Sequence, residues 1–111
     1  MIAVTEEIIS AITRTIIESV HPLKIILFGS YARGDAGPGS DLDFLIVEEE
    51  PFGPERSRFR RVGDIYRKLP DYLVPIDILL YSNNEFDKWK DSINHVIARA
   101  NREGKVIYEQ S

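Results

Sequence analysis

The chain has 111 residues, 43% of them hydrophobic and 29% charged, a size and balance expected of one globular domain spanning residues 1–111. It contains no cysteine, which excludes disulfide frameworks, thiol nucleophiles and Cys-based metal centres and fits a reducing compartment. A net charge of −4 argues against broad electrostatic binding to nucleic acid, so no direct nucleic-acid partner is expected. The longest apolar runs, such as Ile25 to Phe28, fall far short of the roughly 20 residues that span a bilayer, and the start lacks the pattern of a secretory signal. A cytoplasmic protein without membrane contact is expected.

Ile8, Ile9, Ile12, Ile16, Ile17 and Val20 recur at helical spacing, with Thr5 placed to cap the start and Pro22 to stop the run. Leu23 to Phe28 reads as a buried strand, Gly29 to Gly34 as one or two helical turns, and Asp35 to Ser40 as a loop. A second strand is expected over Asp41 to Val47, closed by a solvated acidic run, Glu48 to Glu50. From Glu55 to Leu69 a helix is predicted with Phe59, Val62, Tyr66 and Leu69 on its buried face. Arg56, Arg58, Arg60, Arg61, Arg67 and Lys68 cover the rest of it, as a solvated face or a docking surface.

Leu73 to Tyr81 is a third strand candidate, with Pro75 near its start pointing to an edge or an entry position. A helix follows, capped by Asn83 or Asn84 and containing Phe86, Trp89, Ile93, Val96, Ile97 and Ala100, with Gly104 placed where a left-handed terminator is wanted. His21 and His95 read as structural. Lys105 to Tyr108 adds a last strand. The fold class is therefore α/β, a small mixed sheet flanked by helices.

Three acids interrupt this apolar pattern. Asp41 and Asp43, two apart in a strand, project from the same face about 6.6 Å apart, and Asp77 can join them from a neighbouring strand. Clustered carboxylates repel one another unless a cation compensates, and hard oxygen ligands suit Mg²⁺. Gly29 and Ser30 follow a buried strand and open a short helix, where backbone N–H groups can meet phosphate; Arg33 could add a charge there or pair with Asp35. Neither a Walker loop nor a dinucleotide-binding glycine motif is present. The bland alternative is that the acids pair with Arg33, Arg60 or Lys24.

The strings Gly29-Ser30-Tyr31-Ala32-Arg33-Gly34, Ser40-Asp41-Leu42-Asp43 and Ile76-Asp77-Ile78 resemble the signature of the DNA polymerase beta-like nucleotidyltransferase superfamily. Length and the ending Arg102 to Tyr108 look like its minimal members, the MNT domains encoded with HEPN partner proteins. The resemblance implies a nucleotidyltransferase-like fold and two Mg²⁺ ions on Asp41 and Asp43, one of them shared with Asp77, which helps activate the attacking hydroxyl. It implies that Gly29 and Ser30 hold a nucleoside triphosphate. AMP would pass from ATP to a hydroxyl, a tyrosine of a HEPN toxin, with this chain as the antitoxin in a hetero-oligomer. The rivals are neutralisation by binding alone and transfer to a small molecule such as an antibiotic.

Overall fold

A computed structural model describes residues 4–70 and 74–110. Thr5 caps helix α1 (Glu6–Val20) by accepting the Ile8 N–H, and the chain then enters strand β1 (Lys24–Phe28). A single turn, α2 (Ser30–Arg33), leads to the loop before β2 (Leu42–Glu48). Helix α3 (Arg58–Lys68) connects β2 to β3 (Ile76–Ser82), and α4 (Asn83–Trp89), α5 (Val96–Glu103) and β4 (Lys105–Glu109) complete the order. Among the described residues no helix is long and apolar enough to cross a membrane.

The four strands lie in the order β3-β2-β1-β4, with β2 and β3 parallel and β1 antiparallel to both β2 and β4. The sheet is mixed, as the sequence predicts. Strand alternation splits its apolar side chains between two cores. Leu42, Phe44 and Ile46 pack with Ile25, Leu27, Ile78 and Leu80 against Ile12 and Ile16 of α1 and Ile65 of α3. Leu45 and Val47 turn the other way, with Ile26 and Phe28, onto Phe86 of α4 and Ile97 and Ala100 of α5. Being lined on both faces, β2 carries a near-continuous apolar run, broken only at Asp43.

The structure departs from several of these expectations. The helix expected from Glu55 begins at Arg58, and its buried residue is Ile65, with Val62 and Leu69 packed partly beside it; Phe59 is 89% exposed and Tyr66 40%. The rotation follows from Arg61, whose guanidinium reaches Glu48 at the end of β2 and so turns residues 61, 62, 65 and 69 inward. Glu48 is accordingly buried, not solvated, and it also accepts from Arg56 at 2.9 Å. Arg56 lies before the helix and Arg58 pairs with Glu85, so much of the basic surplus is spent internally.

The long helix expected from Asn83 to Ala100 is two helices. Ser82, not an asparagine, caps the first through reciprocal bonds with Glu85, and the His95 ring caps the second by accepting the Ile97 N–H at 3.1 Å. Ile93, in the break, is 84% exposed, and Trp89 stacks on His95 at 4.7 Å, half in solvent. Gly104 is extended, with φ −83°, and its requirement is space: a Cβ there would strike Ile26 Cγ2 and the Ala100 carbonyl. Residue Leu73 of the expected third strand lies outside the described residues, and β3 itself starts at Ile76.

Candidate active site

The register of the sheet places the acids. Asp43 stands opposite Phe28 on antiparallel β1 and opposite Asp77 on parallel β3, so one row across the sheet runs from the end of β1 through Asp43 to Asp77. Asp43 shares its face with Leu45 and Val47, the face covered by α4 and α5. Because α5 begins at Val96, this end of the face stays open. The result is a cleft of about 380 Å³ whose lining includes Gly29, Ser30, Arg33, Asp41, Asp43, Asp77 and Arg99. All six residues singled out in the sequence meet there. A larger cavity of about 680 Å³ runs beside α1, where Ile9, Ile17, Leu27 and Ile107 give it an aliphatic lining without an acid cluster.

Gly29 is irreplaceable on two counts. Its φ of 76° and ψ of −158° lie where only glycine is comfortable, and a Cβ would collide with Asp43 Oδ2. The glycine thus brings the turn between β1 and α2 directly against the central carboxylate. Ser30 follows in the first helical turn.

Burial, reinforced by the charges of Asp77 and Asp41, pushes the Asp43 carboxyl above its usual 3.8, while Arg99 and Arg33 pull in the opposite direction. Among the described residues none of the three aspartates has an ion-pair partner within 4.0 Å. Lys24 is engaged by Glu109 at 3.3 Å, and Arg33 by Asp35 at 3.2 Å and Glu103 at 3.9 Å. The pairing alternative therefore finds no support at Lys24 or Arg33. Among the described residues no three metal-ligating side chains converge closely enough to enclose an ion, so the aspartates line the cleft without closing a cage. That suits Mg²⁺, which keeps much of its water and takes one or two carboxylates together with substrate phosphates.

A family profile described as the nucleotidyltransferase domain matches residues 9–105. The chain belongs to this family. Two proteins of Methanocaldococcus jannaschii, both provisionally named protein adenylyltransferases, are similar to this nucleotidyltransferase. One is 41% identical over 87 residues, covering 77% of each chain. The other is 42% identical over 52 residues, which is 46% of this chain and 52% of that relative. Among solved structures, a provisionally named nucleotidyltransferase from Sulfolobus solfataricus superposes with a TM-score of 0.63 at 22% identity, over 94% of this chain and 79% of that one. A toxin–antitoxin structure with AMP-PNP superposes with a TM-score of 0.58 at 17% identity, over 96% and 75% of the two chains. At such identities the likeness concerns the fold.

Sequence reading missed Arg99 in this nucleotidyltransferase. It is exposed, lines the cleft, and has no ion-pair partner among the described residues. Nothing within α5 marks it; only the packing of that helix over β1 brings its first turns to the aspartates.

Proposed function

We propose that this nucleotidyltransferase moves AMP from ATP onto a hydroxyl of a partner protein, a tyrosine of a HEPN toxin, and so acts as an antitoxin. The observation that carries this reading is that Asp41, Asp43 and Asp77 line one cleft beside the Gly29–Ser30 turn with no ion-pair partner within 4.0 Å among the described residues. The names of the two Methanocaldococcus jannaschii relatives support a protein acceptor, and the toxin–antitoxin neighbour supports a toxin. A cleft of about 380 Å³ flanked by exposed Asp41 and Asp77 has room for the polyphosphate and leaves the acceptor side open to a second molecule. Such a pair meets in the cytoplasm, where ATP is at hand.

Two Mg²⁺ ions held by Asp41, Asp43 and Asp77 would neutralise the triphosphate and the charge that develops on the leaving pyrophosphate. The chain's own groups do the positioning. Gly29 lets the backbone approach the phosphates, Ser30 donates its hydroxyl to a phosphate oxygen, and Arg33 and Arg99 supply positive charge on either side of the cleft. Asp77, on the outer strand and facing solvent, accepts the proton as the acceptor oxygen attacks the α-phosphorus in line and pyrophosphate departs.

The test is to incubate the chain with ATP, Mg²⁺ and a HEPN protein encoded beside it, then map adenylyl mass increments on that protein. A tyrosine-borne increment that requires Asp43 is the expected result. Neutralisation of the toxin by Asp43→Asn with no increment would instead establish binding alone.

A further inference from the structure

Asp77 sits on the outermost strand of its side of the sheet, where β2 grips it from the inner edge only. On the outer edge the Ile76 carbonyl and the Ile78 N–H, the two groups flanking Asp77, would face away from any strand. One atom engages both. The Tyr66 hydroxyl, from α3, donates to the Ile76 carbonyl at 3.0 Å and accepts the Ile78 N–H at 2.9 Å. Donation to the carbonyl before a residue and acceptance from the amide after it is the grip that a neighbouring parallel strand would exert on that residue. A single phenol thus stands in for the missing strand at the one outer-edge position that carries a functional acid.

We infer that Tyr66 is a positioning residue for Asp77, fixing the backbone from which that carboxylate enters the cleft. The inference rests on the proposed role of Asp77. Three features favour it over a merely structural role. Tyr66 is 40% exposed and the buried anchor of α3 is Ile65, so the helix does not need this ring for its core. Among the described residues the hydroxyl bonds only to the residues on either side of Asp77. The ring also lies close enough to Asp77 that its carboxylate, after burial, helps push the phenol above its usual 10.0. Displacements well below a side chain's length suffice to degrade transfer chemistry, so a restraint at the backbone of one ligand has leverage.

Tyr66→Phe removes the hydroxyl and keeps the ring. Amide exchange should accelerate at Ile78, and the half-saturating concentration of Mn²⁺, a stand-in for Mg²⁺ counted by the resonance of the free ion, should rise about threefold. Asp77→Asn should raise it about tenfold, and Tyr66→Phe should add nothing in that background, because no carboxylate remains to position. Transfer turnover should follow the same pattern, with the KM for ATP unchanged. Unaltered Mn²⁺ binding in Tyr66→Phe, or its full effect persisting in the Asp77→Asn background, would overturn the inference. Mn²⁺ binding that follows this pattern in a chain that transfers no AMP would sink the proposed function and leave the clamp standing. Wild-type Mn²⁺ binding indifferent to Asp77→Asn would overturn both.

Discussion

Strand β2 carries one acid near each end, and the protein treats them oppositely. Glu48, at the far end, is 2% exposed and held by two arginines, with Arg61 bidentate on its oxygens and Arg56 at 2.9 Å. Asp43, at the near end, is only half-buried, has two further acids for neighbours, and has no guanidinium or ammonium within ion-pair distance among the described residues. A carboxylate that the fold needs is neutralised by the fold. One left with uncompensated like charges is stable only at a cost, and that cost is relieved when a cation arrives from outside.

The contrast breaks first at Asp43. Asp43→Asn should lower AMP transfer at least about a hundredfold, since it removes the carboxylate proposed as the central metal ligand, while the melting temperature at neutral pH holds or rises. Glu48→Gln should do the reverse. It strands two arginines in a buried site, and urea unfolding should show a loss of about 3 kcal/mol. Nucleotide affinity of the folded fraction should stay at the wild-type value. A third variant, Arg99→Ala, asks whether the cleft draws its positive charge from α5. ATP should bind about tenfold more weakly by calorimetry with Mg²⁺ present, AMP hardly less well, and Arg33→Ala should have the smaller effect because Asp35 and Glu103 already engage that guanidinium.

The smallest effect is one of pH. Because the folded chain holds the Asp43 proton more tightly than the unfolded chain does, folding takes up protons there and stability falls as pH rises through the window just above 3.8. The stability advantage of Asp43→Asn should therefore be present at neutral pH and shrink as pH drops towards 3.8 and wild-type Asp43 takes up its proton. Thermal melts across that range in the absence of divalent cations read it directly. An advantage that grows on acidification would mean that Asp43 is stabilised as the anion.

Local patterns were strong enough to place all four strands, α1 and the six cleft residues from the sequence, because each rests on short-range chemistry. Alternation over Leu42 to Val47 dictates which face Asp43 shares, and the positive φ at position 29 can be met by glycine alone. Asp41, expected inside the strand, instead lies one residue before β2 begins, though it lines the same cleft as Asp43. What spacing could not settle was which side of α3 turns inward. Phe59, Val62 and Tyr66 make an acceptable apolar stripe, but burial of Glu48 pulled Arg61 and Ile65 to the core and left Phe59 in water. The same limit hid the break before Val96, where the His95 ring replaces a helical turn, and hid Arg99, which earns its place only through the docking of α5.

The sequence by itself determined the strands, the glycine turn and the identity of the acids, since these depend on backbone sterics and on residues within a few positions of one another. Only the tertiary structure decided which charges would be neutralised. Glu48 and Arg61 are thirteen residues apart, and the Tyr66 hydroxyl spans to Ile76 and Ile78 across a helix end and a connecting segment. Whether such groups meet is set by how whole elements pack, and no local period records it.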